Sequence, residues 1–181
     1  ASLPPYEAYA WDQRKRESLV LVGANDGMVH AFRNGSFLTE TCVGGKPIPD
    51  FNAGNGDEVW AFLPPDLLPK LADQMLGHQY MVDGDIMVRD IWTDNASQNG
   101  SKEAGEFHTL AVVSEGRGGK HYFALGLEYD PAGIPLDRPN FRWMFPQPCS
   151  EESATFGKTF FALSPKPPPI GPVLLDAAGL P

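Results

Sequence analysis

The sequence predicts an all-β protein made of a repeated sheet unit, a propeller or related radial array. Three observations carry that expectation. Short apolar runs recur along the chain and are separated by Gly-rich turns, the pattern of many short strands. Glycine and proline are abundant, 19 and 18 of 181 residues, so much of the chain serves turns and little is left for long helices. One pattern also occurs twice. An apolar strand leads through a Gly turn to a second strand, and an x-x-Trp-x-Phe-Pro-like strand follows. Trp60 and Trp143 take matching places in the two copies. Their separation exceeds the roughly 40–45 residues of a plain WD40 blade and fits blades elaborated by a helix and inserted loops. A non-repeating β-sandwich is the alternative.

The elements follow in order. Ser18–Gly23 (SLVLVG) is a continuous apolar run, as expected of a strand buried on both faces. Asn25-Asp26-Gly27 makes a tight hairpin turn. Residues 28–32 continue as a strand with Met28, His30 and Phe32 on one face, Val29 and Ala31 on the other. Residues 33–57 are polar and Gly-rich and read as a long loop, and 58–63 (EVWAFL) as the next strand. Pro64-Pro65 ends it. A short inserted helix then runs from Pro65 or Asp66 through Met75, with Leu67, Leu68, Leu71 and Leu76 near helical spacing and Pro69 tolerated in its first turn. Residues 79–82 and 85–92 read as strands around Asp83-Gly84, and 94–106 as a flexible polar loop. A second hairpin joins 107–113 to 120–129 across the turn Gly116-Arg117-Gly118-Gly119, and 141–145 (FRWMF) closes the unit. The chain divides into a lead-in, 1–17, a β region, 18–164, and a Pro-rich connector or start of a next unit, 165–181, which suits polyproline II.

Charge and motifs exclude several functions. With 14 basic and 23 acidic residues the formal charge is −9, opposite to what a phosphate-backbone binder needs. No apolar run is long enough to span a membrane, and residues 1–12 lack a signal-peptide pattern. Both ends look cut, so a piece of a larger protein is expected. Ser36, Ser114 and Ser164 lack a nucleophile elbow. The turn at 116–119 lacks the GK[ST] ending of a phosphate cradle. His30, His78, His108 and His121 form no HExxH; His30 and His121 occupy comparable places in the two hairpins, which points to a repeated structural hydrogen bond. Asp26 is a turn former. Asp83, Asp85 and Asp90 are weak metal candidates, since carboxylate oxygens suit calcium, but they lack EF-hand spacing. Arg14-Lys15-Arg16 reads as a solvated basic run. Trp60 and Trp143, in apolar strands, are expected to pack between neighbouring sheets; Trp11 and Trp92 flank loops. Cys42 and Cys149 match no zinc or redox motif, leaving a disulfide or two separate thiols. No catalytic or cofactor-binding residue emerges.

The string VLVGANDGMVHAF at 20–32 resembles the opening of the C-terminal propeller of the PilY/PilC type IV pilus tip proteins. EVWAFLP at 58–64, LLPKL at 67–71, HQYMVDGD at 78–85, GRGGKHYFAL at 116–125 and FRWMF at 141–145 follow in the family's order, and FGKTF at 156–160 resembles the start of a following blade. The resemblance implies a modified, quinoprotein-like β-propeller, here about two elaborated blades plus the start of a third. It implies a secreted protein at the outer surface and pilus tip that works with minor pilins and supports pilus assembly, adhesion to host or abiotic surfaces, and twitching motility. It implies a calcium loop in the whole protein, C-terminal to these blocks. Because the family is exported, it also implies that Cys42 and Cys149 can be bridged. The functional expectation is a non-enzymatic assembly and adhesion module, with the loops 33–57 and 94–106 as contact surfaces. The alternatives are a quinoprotein dehydrogenase-type enzyme and a generic envelope-assembly scaffold.

Overall fold

The computed structural model describes residues 3–159; the Pro-rich segment 165–181 lies outside them. Two antiparallel meanders dominate. The first sheet has strand order β1-β2-β5, from β1 (Ser18–Gly23), β2 (Val29–Gly35) and β5 (Glu58–Phe62). The second has order β6-β7-β8-β9, from β6 (Ile86–Trp92), β7 (Phe107–Ser114), β8 (Tyr122–Gly126) and β9 (Asn140–Phe145). A separate hairpin, β3 (Phe37–Val43) with β4 (Lys46–Phe51), is inserted between β2 and β5.

The repeat read from the sequence is present in the ladders. Trp60 lies opposite Ala31, and Trp143 opposite Ala124. In each pair of strands the register slips at the next residue, between Ala31 and Phe32 and between Ala124 and Leu125. A shared bulge at a shared place is the mark of a repeated unit, because a bulge bends and twists its strand locally.

One face of each sheet meets the other. Val29, Ala31 and Trp60 of the first sheet join Ala111, Val113, Phe123, Leu125 and Met144 of the second in a single apolar cluster. Phe62 reaches across, its ring 5.9 Å from Phe123 and 5.7 Å from Phe141. Leu67, Met81 and Val82 from the connection between β5 and β6 complete the cluster. The alternation expected in 28–32 holds: Val29 and Ala31 are fully buried, His30 and Phe32 partly so.

Several expectations change. β1 is not buried on both faces: Val20 and Val22 are exposed, because β1 is an edge strand whose second face has no sheet over it among the described residues. Trp143 differs from Trp60 for the same reason. Trp60 is 6% exposed in the shared core, whereas Trp143, on the outer face of the edge strand β9, is 40% exposed. The segment 33–57 is largely the β3–β4 hairpin, turned through Gly44-Gly45. Residues 79–82 form no strand; the amides of Met81 and Val82 instead donate to Asn25 Oδ1 and to the Ala24 carbonyl. The inserted helix is a 3-10 helix, Leu68–Leu76. The lead-in carries an unexpected helix α1 (Pro5–Gln13), with proline in its first turn, where its missing N–H costs nothing. Tyr6 and Tyr9 of α1 pack their rings on Phe107, and Tyr9 Oη lies 2.8 Å from Thr109 Oγ1. A short helix α2 (Glu151–Thr155) follows β9.

Candidate functional site

The aspartates singled out from the sequence do not converge. Asp90, on β6, accepts hydrogen bonds from Thr109 Oγ1 at 2.6 Å and Tyr6 Oη at 3.2 Å. Asp83 faces Arg117 at 3.6 Å. Asp85, at the mouth of β6, offers its backbone carbonyl to the Ser114 amide at 3.0 Å. Cys42 and Cys149 are both free and exposed. Cys42 stands in β3, opposite Pro47 on the projecting hairpin, and Cys149 in the turn after β9. The loop 94–106 is better ordered than its polarity suggests. Asp94 accepts from the Asn99 and Gly100 amides, and Glu106 from the Ser97 amide and hydroxyl and from Trp92 Nε1. Those bonds, the Ser97 amide first, hold the Glu106 carboxyl below its usual range.

Among the described residues a different trio comes within ligand distance: Asp66, Glu115 and His121, whose ligand atoms all lie within 4.8 Å of one another. Asp66 follows the Pro64-Pro65 stop at the end of β5. Glu115 directly follows β7, and His121 directly precedes β8 beyond the Gly turn. His121 Nδ1 is 3.1 Å from Asp66 Oδ2 and 3.4 Å from Glu115 Oε2. The His121 amide donates to Glu115 Oε2 at 3.0 Å. The turn is shaped around this carboxyl group, since a Cβ on Gly119 would lie 1.6 Å from Glu115 Oε2. Burial, with Asp66 beside it, pushes the Glu115 carboxyl up to about 8.

The histidine of the first hairpin, His30, stands between two other carboxylates, but at a different place: with Ala31 matched to Ala124 through their tryptophans, His30 corresponds to Phe123. His30 Nδ1 is 2.5 Å from Glu58 Oε1, and Nε2 is 2.9 Å from Asp26 Oδ2. Asp26 therefore does more than form its turn. The hydrogen bond to Glu58, then Asp26, raises the His30 pKa against the opposing effect of partial burial. Each histidine does hydrogen-bond a carboxylate, but not at equivalent places, so the repeated role expected from the sequence does not hold. Asp66 and Glu115 were missed because their partners are distant in sequence; a glutamate just after the apolar run at 110–113, leading into the Gly116-Arg117-Gly118-Gly119 turn, was the available signal.

Two meandering sheets packed face to face, with matching bulges and matching tryptophans, are neighbouring blades of a β-propeller. Residues 2–139 match the family model described as the PilY1 beta-propeller domain, and the chain belongs to that family. It is 37% identical over 134 residues to a type IV pilus biogenesis factor PilY1 homolog of Xylella fastidiosa, covering 72% of this chain and 9% of the relative. It is 31% identical over 156 residues to the type IV pilus biogenesis factor PilY1 of Pseudomonas aeruginosa, covering 79% of this chain and 11% of the relative. The chain thus spans about a tenth of the length of these curated relatives. The crystal structure of the Pseudomonas aeruginosa PilY1 C-terminal domain aligns over 77% of this chain and 20% of its own, with a TM-score of 0.46 and 29% identity.

Proposed function

We propose that these residues are two blades of a pilus-tip propeller that supports type IV pilus assembly, surface adhesion and twitching motility without catalysis. In this reading the protein is exported and stands at the outer surface and pilus tip. Its calcium loop belongs to another part of the whole protein, and its partners are minor pilins together with the host or abiotic surface. The relatives' names, as pilus biogenesis factors, support the assembly role.

The observation that carries the contact surface is the β3–β4 hairpin. It stands outside both sheets and exposes Leu38, Val43 and Ile48. Its opposite side is held to the lead-in, where Arg14 Nε donates to Glu40 at 2.9 Å and Lys15 lies 3.7 Å from the same carboxylate. Loops and hairpins on a rigid β scaffold are where binding contacts concentrate, and an unpaired hairpin edge offers main-chain groups to a partner. The test is made in the intact parent protein in piliated cells, with Leu38, Val43 and Ile48 each replaced by Ser. Surface pili and twitching should fall while the protein accumulates normally, and capture of minor pilins should weaken. Full piliation and twitching after removal of the whole hairpin would overturn the reading.

A further inference from the structure

The Asp66–Glu115–His121 cluster has more ligand capacity than its neighbours use. The side chains of Asp66, Glu115 and His121 are 8%, 0% and 10% exposed. Each still holds a buried atom without a hydrogen-bond partner: Asp66 Oδ1, Glu115 Oε1 and His121 Nε2. Buried polar atoms in folded proteins are nearly always satisfied. The two carboxylate orphans, Asp66 Oδ1 and Glu115 Oε1, which stand together with His121 Nδ1, therefore call for a missing partner. The charge balance gives its sign. Two carboxyl groups face one imidazole, and the amine of Lys70, whose charge also acts on Glu115, donates to the Gly118 carbonyl at 3.0 Å.

We propose that Asp66, Glu115 and His121 bind a divalent transition-metal ion of the zinc type. One imidazole nitrogen and two carboxylate oxygens form a mixed, borderline donor set. Imidazole suits zinc and its neighbours in the first transition row, whereas calcium takes six to eight oxygens. Three protein ligands leave a fourth position for water, the usual count for an open tetrahedral site. The site also has a structural consequence. Asp66 follows the last strand of the first blade, while Glu115 and His121 belong to the central hairpin of the second, so the ion ties the two blades together across their interface. The calcium loop that the resemblance places elsewhere in the whole protein has no part in it.

The test uses the purified full chain, stripped with a chelator and titrated with zinc chloride against a chromophoric competitor. One zinc ion should bind per chain, raise the melting temperature, and resist displacement by excess calcium. Cobalt(II) put in its place should give the spectrum of a nitrogen–oxygen site without thiolate charge transfer, which separates this site from Cys42 and Cys149. Glu115→Gln and Asp66→Asn, both near-isosteric, should each weaken zinc by at least about tenfold. Three results would each overturn the proposal: no zinc bound by the unaltered chain, undiminished binding by both variants, or a thiolate-type cobalt spectrum. The first of these would mean that a proton shared by the carboxylates is the missing partner. Because the unaltered chain's stoichiometry and spectrum decide by themselves, failure of a variant to fold leaves the test intact.

Discussion

The two blades carry the same three chemical groups in opposite settings. His30 and His121 occupy corresponding hairpins, and each faces one aspartate and one glutamate. In the first blade the carboxylates sit on opposite ring nitrogens, and Asp26 and Glu58 are 45% and 46% exposed. Both nitrogens are used, so the ring bridges its partners and is satisfied. In the second blade both carboxylates crowd one nitrogen, the group is sealed from water, and three atoms go unpaired. Solvent makes the first arrangement a modest surface ion-pair network. Burial makes the second costly unless a further cation joins it, because stripping water from a charge costs several kcal/mol. Similar residue types therefore produce a closed clamp in one blade and an open ligand set in the other.

The largest expected effect comes from deleting the histidine on each side. In chelator-treated protein at neutral pH, His121→Ala takes the hydrogen-bond partner from the buried Asp66 carboxyl group. It should cost about 1–3 kcal/mol, the range for leaving a buried polar group unsatisfied. His30→Ala, where the carboxylates return to water, should cost about 0–1 kcal/mol. Urea unfolding of both variants measures the difference. Equal losses would show that burial does not separate the two clusters.

The turns give a smaller contrast. Gly119 is required for space, since an added Cβ meets the Glu115 carboxyl group. Gly27 is required for conformation, with φ at 102°, a region that side chains avoid. Gly119→Ala should destabilise by about 1–3 kcal/mol through overpacking, and Gly27→Ala by about 1–2 kcal/mol through backbone strain. Combining Gly119→Ala with Glu115→Ala, which removes the clashing group, should recover part of the first loss. No such rescue is expected for Gly27→Ala. Additivity in the Gly119–Glu115 cycle would break the assignment of the turn to that carboxyl group.

What was legible in the sequence follows from how local each signal is. The strands at 18–23, 58–62 and 107–114 declare themselves by apolar runs between turn residues, and the repeat by the placing of Trp60 and Trp143. The β3–β4 hairpin was hidden because Pro47, Pro49 and Gly44-Gly45 read as loop residues. Its prolines are tolerated because the hairpin stands apart from both sheets. Helix α1 was hidden because it is held mainly by the packing of Tyr6 and Tyr9 on Phe107, a contact a hundred positions away. The same holds for the site. Asp66 reads as a possible start of the inserted helix and Glu115 as part of a Gly-rich turn; only packing one blade on the other brings both to His121. Asp83, Asp85 and Asp90 are close in sequence but serve different neighbours in space.

The smallest effect sharpens the first blade's side of the comparison. His30 is held in its charged form by Glu58 and Asp26, so its pKa in the fold lies above its value in the unfolded chain. The sign follows directly. The clamp's contribution is fully present below the unfolded histidine value of about 6.5, and it fades as pH rises through the higher folded value. Because both carboxylates are nearly half exposed, water and salt screen the attraction, and the contribution should be under about 1 kcal/mol. Comparing unaltered protein with His30→Gln, the stability difference should shrink from about pH 5.5 to about pH 8.5. At about 1 M salt, where the Debye length is about 3 Å, it should nearly vanish. A difference that grows toward high pH would mean that the neutral ring is the form the fold prefers. The two histidine clusters would then differ in more than their exposure to water.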